Sequence, residues 1–389
     1  MVQQLDDTGL RDLSERTDEL GVLSVYVNAD PNQDPNLQAA AIDLKNRFRE
    51  LQRRVADDDS FHRGRDVAAA LERLWPQIET LVTPATSGRG RIAFAALGND
   101  WTVRLESAMP VANRLVLDSG PFIHPLLELL DEGRRAGLVI VTGDDARVLE
   151  WHLGSLRAVH SMEHEYVQAP HERAGQIGGG PTGQFNTPAR EQRKARERDR
   201  SQRFLDQVVD VVVELADQNG WERILVSGGD AWTEAAISRF PQAVRDKVLA
   251  EPRVLNGVDD SALASMVTER LHAQHKEYES QLLTRVRDAA ATGTGALGLS
   301  EVAAALNAGR VAHLVYDPGV RYVGSVGADG SLYGGDEAAP GPQEVTAEPR
   351  LTERLVERAL EIGARITPVE DGAEGALADA AGIAALLRW

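Results

Sequence analysis

The residues best suited to a chemical role lie in a glycine-rich segment, residues 175–184, and in the basic stretch that follows it. Glycine adopts backbone conformations that other residues cannot, so clustered glycines let a loop approach another surface closely. The segment contains, in order, Gly178, Gly179, Gly180, Thr182, Gly183 and Gln184. The basic stretch contains Arg190, Arg193, Lys194, Arg196, Arg198, Arg200 and Arg203.

The charge of this basic stretch is opposite to that of the chain. Its seven basic residues outnumber Glu191, Glu197 and Asp199 and leave a local balance of +4, whereas the chain carries −18. A basic segment in an acidic protein indicates an anionic target, and RNA is the first candidate. The acidity of the remainder restricts any nucleic-acid contact to a local surface. We expect no DNA partner.

A solvated helix is the alternative interpretation of the same stretch. On a helix, five of the arginines fall within an arc of about 140°; they are Arg190, Arg193, Arg196, Arg200 and Arg203. Arg193 with Glu197, and Asp199 with Arg203, have the spacing of ion pairs one turn apart. The excess of arginine beside a glycine loop favours an RNA-facing role.

Two further motifs resemble functional sites, but their context disagrees. His160–His164 matches H-x-x-E-H, a zinc pattern that requires a helix, and here it ends a predicted strand. Residues 293–298 match G-x-G-x-x-G but follow a predicted helix, so we expect a helix–helix loop. His272 and His275 lie on a charged predicted helix and are expected to face solvent. We therefore expect neither a metal nor a cofactor.

Composition restricts the class of protein. A chain of 389 residues can form two or three domains, and the absence of cysteine excludes disulfides and thiolate chemistry. The first residues lack the basic start and apolar run of a signal peptide. No stretch approaches the roughly 20 apolar residues that span a bilayer. We expect a soluble, cytoplasmic protein without a membrane partner.

Hydrophobic patterning predicts an α/β (mixed α+β) chain of three domains in a row, each with a small mixed sheet and helices. Their boundaries are predicted at 1–135, 136–270 and 271–389. The middle domain opens with a three-strand meander over 138–161, ahead of the glycine-rich segment. The basic stretch then continues as a helix that turns apolar and ends at Asn219 and Gly220. Residues 324–350 are expected to form a mobile hairpin or loop.

This order of elements resembles the class-1 peptide release factors of archaea and eukaryotes and Pelota. The resemblance is carried by the meander, by Gly183-Gln184 in a glycine-rich loop before a basic helix, and by the last strand, residues 382–389. It covers residues 137–389 and, more weakly, the first 135. The bacterial branch of this superfamily includes the ribosome-hibernation factor Balon.

The resemblance implies a translation factor that fills the ribosomal A site. In the family, a Gly-Gly-Gln loop enters the peptidyl-transferase centre and helps water attack peptidyl-tRNA, so Gly183 and Gln184 become candidate catalytic residues. The third domain docks partners such as a translational GTPase. The sequence departs from this pattern because Thr182 occupies the position of the first glycine of the triplet. The first domain also has no Asn-Ile-Lys-Ser segment.

Two functions stay open at this point. The first is ribosome binding in hibernation or rescue, through the glycine-rich loop and the basic helix. The second is enzymatic, a release-factor-like stimulation of peptidyl-tRNA hydrolysis through Gln184. A metal-dependent hydrolase would depend on His160 and His164 alone.

Overall fold

The computed structural model describes residues 7–31, 37–57, 64–164, 186–335, 345–369, 375 and 377–389, and for 7–8, 57 and 186–193 the backbone alone. Contacts divide the chain into two compact units. The first unit combines Met1–Gly133 with Glu269–Trp389, and the second is Arg134–Thr268. The mixed α+β class is confirmed, and the division into three domains stays a prediction.

The first part of the first unit is an antiparallel sheet covered by helices. Its elements are α1 (Asp7–Ser14), β1 (Val22–Asn28), α2 (Leu37–Asp57), α3 (Gly64–Glu79), β2 (Gly90–Ala96), β3 (Thr102–Ser107), β4 (Arg114–Asp118) and α4 (His124–Glu132). The strand order is β3-β2-β1-β4. Leu23 and Val25 of β1 pack against Phe48 of α2 and Leu71 of α3.

The second unit is a five-stranded sheet in the order β7-β6-β5-β8-β9. Its elements are β5 (Ala136–Val141), β6 (Asp145–His152), β7 (Ser155–Glu163), α5 (Asn186–Asn219), β8 (Arg223–Gly228), α6 (Asp230–Ile237), α7 (Gln242–Arg245) and β9 (Val248–Ala250). The antiparallel meander β5-β6-β7 confirms the prediction, while β8 and β9 add parallel strands. Helix α5 ends as predicted before Gly220, whose φ of +66° favours glycine.

The remainder of the first unit contains two small sheets, in the orders β10-β16-β11-β15 and β13-β12-β14. A long helix, α8 (Asp260–Ala291), precedes them. The other elements are β10 (Gly295–Leu297), α9 (Gly298–Asn307), β11 (Val311–Tyr316), β12 (Gly324–Gly327), β13 (Leu332–Gly334), β14 (Val345–Glu348), α10 (Leu351–Glu361), β15 (Arg365–Pro368) and β16 (Ile383–Leu387).

The structure contradicts two expectations for this region and agrees with the hairpin expected within residues 324–350. The G-x-G-x-x-G segment is not a plain helix–helix loop, because β10 lies within it and pairs with β16. Within residues 324–350, β12 and β13 form an antiparallel hairpin, as one of the two expected alternatives, and β14 adds a third strand. His275 does not face solvent: it is 2% exposed and lies 3.3 Å from Glu279 on the same helix. His272 is about half exposed, and its Nδ1 lies 2.7 Å from Glu132.

Polar contacts join the two parts of the first unit. The buried carboxylate of Asp131 accepts hydrogen bonds from Arg365, at 3.1 and 3.0 Å, and from Thr367 at 2.6 Å. The Nδ1 atom of His124 lies 2.6 Å from the hydroxyl of Tyr316, and both side chains are buried. Charged and neutral hydrogen bonds therefore tie α4 to β11 and β15. Among the helices of the described ranges, none combines the length and apolarity that crossing a bilayer requires.

Candidate nucleic-acid interface

Helix α5 is the element that holds the basic residues proposed to contact RNA. Gly178, Gly179, Gly180, Thr182, Gly183 and Gln184 lie outside the described residues. Arg190 and Arg193 lie on the helical backbone of α5, in the part where side chains are not described. Lys194, Arg196, Arg200 and Arg203 are exposed on the same helix. The structure thus brings the described part of the basic stretch together on one element.

The C-terminal half of α5 anchors the helix to the second unit. A buried apolar face begins at Phe204 and packs against strands of the sheet, including Val139 and Val226. Its buried members on the helix are Phe204, Leu205, Val208, Val209, Val212 and Ala216. Their spacing of three and four residues places them on one side of the helix. Burial of this face fixes the direction of the whole helix relative to the sheet.

The described side chains in the N-terminal half of α5 form no such face. Residues separated by whole helical turns lie on the same side of a helix. Lys194 lies five turns before Val212, and Arg198 lies about two turns before Leu205. These basic residues therefore lie on the same side of α5 as the buried apolar face. Every described side chain over 194–200 is exposed. A stripe of basic residues cannot be buried against an apolar sheet without a large desolvation cost. The described part of this half, from Lys194 to Arg203, therefore presents its charges to solvent.

Most of these charges are not neutralised within the described part of the chain. Arg203 forms the predicted ion pair with Asp199 at 2.6 Å, and both side chains are more than half exposed. Such exposed pairs contribute at most about 1 kcal/mol. Among the described side chains, no carboxylate lies in ion-pair distance of Lys194, Arg196, Arg198 or Arg200. The predicted pair of Arg193 with Glu197 lies outside the described side chains.

His164 is the last described residue before the glycine-rich segment, and hydrogen bonds hold it in place. Its backbone N–H donates to the carbonyl of Asp144 at 2.7 Å, and its Nδ1 lies 2.8 Å from the carbonyl of Gly143. Its ring contacts the ring of Phe204 at 4.8 Å between centroids. His160 is exposed on β7, and the described residues contain no group of three or more His, Asp or Glu that could hold a metal. His164 therefore has a packing role, beside the point where α5 leaves the core.

The buried carboxylate of Glu150 supports the C-terminal end of α5, and the sequence analysis did not identify it. Glu150 on β6 is 4% exposed, and its Oε2 accepts a hydrogen bond of 3.0 Å from Nε1 of Trp221, which follows α5. Its Oε1 accepts from Arg135 at 2.9 Å and from Arg157 at 3.0 Å. The sequence signals this role only weakly, because β6 also contains the polar residues Asp145, Arg147 and His152.

These contacts set the ionisation of Glu150. Burial raises the pKa of its carboxyl, but the hydrogen bonds from Trp221 and Arg157 and the charges of Arg135 and Arg157 outweigh burial. The pKa of Glu150 is therefore lowered from its ordinary value, and the side chain is a carboxylate at neutral pH. The pKa of nearby His152 is lowered by burial and by the charge of Arg135. The arrangement is structural: it orients the C-terminal end of α5, opposite to the end that carries the basic stretch.

The chain has structural similarity to archaeal and yeast translation factors. The archaeal translation termination factor aRF1 is 16% identical over 100% of this chain and 97% of its own, with a TM-score of 0.25. Dom34 of S. cerevisiae is 11% identical over 77% of this chain and 80% of its own, with a TM-score of 0.38. Pelota of Archaeoglobus fulgidus is 14% identical over 77% and 79%, with a TM-score of 0.32. TM-scores of this size carry no argument by themselves.

The sequence matches one family model over part of the chain. No curated protein sequence matches the chain. Residues 121–276, which include the whole second unit and α5, match the model of bacterial archaeo-eukaryotic release factor family 10. The resemblance inferred from the glycine-rich loop and the basic helix is thereby confirmed. Over this part, the chain is similar to a bacterial family of archaeo-eukaryotic release factors.

Proposed function

We propose that this protein is a ribosome-associated factor that occupies the A site in hibernation or rescue. The observation that carries the proposal is the exposed basic half of α5, in a chain whose net charge is −18. Between residues 194 and 203, five basic side chains face two acidic ones. An exposed arginine-rich segment neutralises phosphates and gains free energy from released counterions.

The geometry of α5 suits a narrow RNA cavity. From Lys194, where the described side chains of α5 begin, to the buried Phe204, the helix extends about 15 Å at roughly 1.5 Å per residue. The glycine-rich loop directly precedes this exposed part in the sequence. On our proposal, the arginines contact phosphates along the helix while residues 178–184 enter the cavity ahead of it.

Ribosome co-sedimentation tests this proposal. The double variant R196Q/R200Q removes two exposed positive charges from the basic half. The matched control Q207E/Q218E lowers the net charge by the same amount through exposed positions of the anchored half. We expect R196Q/R200Q to weaken binding at least tenfold at moderate salt, and the control to bind as the wild type does. Equal binding by all three proteins would reject the proposal.

The second candidate function is peptide release, and the match to a release-factor family favours it. On this alternative, Gln184 positions water for attack on peptidyl-tRNA. A peptide-release assay compares the wild type with Gln184→Ala. Release above background that Gln184→Ala abolishes would support this function. Equal background release by both proteins would reject it and leave ribosome binding as the function.

The proposed function also implies a location in the cell and a protein partner. We place the protein in the cytoplasm, because its proposed target, the ribosome, works there. We also propose a translational GTPase as a partner of the C-terminal part. Co-purification of a GTPase with the ribosome-bound protein, in the presence of a non-hydrolysable GTP analogue, is the expected result. Absence of any GTPase under these conditions would contradict the partner.

A further inference from the structure

Helix α2, in the first unit, carries a second basic surface that the sequence patterns did not reveal. Its buried side contacts the sheet through Ala40, Leu44, Phe48, Leu51 and Val55. Lys45, Arg49 and Arg53 are all exposed. Their spacing of four residues places them in a line on the far side of the helix, about 140° from the centre of the buried side. We call these three residues the α2 basic line.

The described side chains of α2 do not neutralise the α2 basic line. Glu50 stands three residues before Arg53 and forms no ion pair with it, and Asp43 pairs instead with Arg47 at 2.8 Å. The side chain of Asp57, four residues after Arg53, lies outside those that the structure describes. Among the side chains that the structure describes, no carboxylate lies in ion-pair distance of Lys45, Arg49 or Arg53. Three like charges about 6 Å apart along the helix repel one another. This repulsion slightly destabilises the free protein, and an anionic partner bound along the row would relieve it.

We propose that the α2 basic line binds the sugar-phosphate backbone of RNA, as a second contact separate from α5. A straight row of cations about 12 Å long fits a polymer with regularly spaced charges. The guanidinium groups of Arg49 and Arg53 can each bind a phosphate through two hydrogen bonds. Ile42 lies within the same arc and is 62% exposed, which places an apolar side chain beside the row for contact with a ribose.

We propose RNA and not an acidic protein surface as the partner, and this choice rests on the proposed function. A factor whose α5 binds ribosomal RNA would meet further RNA on binding. The two surfaces are nevertheless testable apart, because they lie on different helices of different units. A failure of α5 to bind RNA would leave the α2 basic line open to its own test.

The test uses the full chain and a fluorescently labelled RNA hairpin, with binding followed by anisotropy over a range of salt concentrations. The variant R49Q/R53Q removes two charges from the α2 basic line. The control R47Q/R54Q removes two exposed charges from the opposite side of the same helix. If each arginine neutralises one phosphate, R49Q/R53Q lowers the slope of log K against log [salt] by about 1.4 to 1.8. We expect a much smaller change for the control.

Three further measurements keep the outcome clear. Thermal unfolding shows whether each variant folds, and R49K/R53K, which retains the charges, should recover most of the affinity. R49Q/R53Q is also measured in the R196Q/R200Q background. If the two surfaces contact RNA independently, their losses of binding free energy should add. Equal effects of R49Q/R53Q and R47Q/R54Q would reduce the result to net charge and overturn the proposal. Unchanged RNA affinity of R49Q/R53Q would overturn it as well.

Discussion

Replacing Glu150 by glutamine tests how the second unit holds α5 in place. The variant keeps the shape of the side chain but removes its charge and replaces one acceptor oxygen by an NH2 group. An N–H donor then faces either the indole N–H of Trp221 or the guanidinium groups of Arg135 and Arg157. Leaving the buried Trp221 donor without an acceptor costs about 1 to 3 kcal/mol.

The two arginines add less to this loss. The side chain of Arg157 is 70% exposed and that of Arg135 is 43% exposed, so solvent screens both ion pairs. Together with the Trp221 hydrogen bond, we expect Glu150→Gln to destabilise the second unit by about 2 kcal/mol. Hydrogen exchange of peptides that cover β5 and β6 measures this loss locally, without requiring both units to unfold together.

The pH dependence has a defined sign. Because the pKa of folded Glu150 is lowered, its stabilisation is fully present above the unfolded pKa, about 4.3. The stabilisation is lost as the pH falls through the folded pKa. The difference between wild type and Glu150→Gln should therefore narrow as the medium becomes more acidic.

A control and a refuting result complete this experiment. Glu222→Gln removes a carboxylate from a partly exposed ion pair with Arg134 and should cost less than about 1 kcal/mol. The reasoning would be refuted by a loss below about 0.5 kcal/mol for Glu150→Gln at neutral pH, a value typical of surface substitutions. A difference that widens in acid would contradict the assigned ionisation.

Two further predictions concern packing and the first unit. Gly137→Ala should destabilise the second unit by about 1 to 3 kcal/mol, because a Cβ atom there would lie 2.3 Å from the ring of Trp221; urea unfolding followed by hydrogen exchange measures it. Asp131→Asn should destabilise the first unit by about 3 kcal/mol, because the buried carboxylate that holds Arg365 and Thr367 loses its charge. Its loss should appear in exchange of β15 and leave β5 and β6 protected, whereas equal losses in both units would contradict it.

Local sequence patterns predicted the elements of this fold better than they predicted burial of polar groups. The meander, the apolar half of α5 and the glycine after it follow from strand alternation, helical spacing and capping, which depend on neighbouring residues. His275 was misplaced because the sequence pattern of α8 does not show which of its polar positions are buried in the fold. Glu150 was missed for the same reason, since Arg135 and Trp221 reach it from different elements.

The candidate site was predicted in part. The basic stretch, its helical form and the pair of Asp199 with Arg203 follow from composition and from spacing of one helical turn. The α2 basic line was missed because its charges are interspersed with apolar residues in the sequence and align only on the folded helix. Residues 324–350 were predicted as a hairpin or loop from their turn-forming composition, which agrees with the β12-β13 hairpin but did not show that β14 pairs with it.

The central claim is that the basic half of α5 contacts ribosomal RNA, and a density map of the protein bound to a ribosome tests it most directly. We predict that the map shows the protein in the A site. In that map, residues 190–203 of α5 should lie against RNA phosphates, with Arg196 and Arg200 in contact. A map in which the protein binds elsewhere, or in which this part of α5 faces solvent or ribosomal protein alone, would contradict the account.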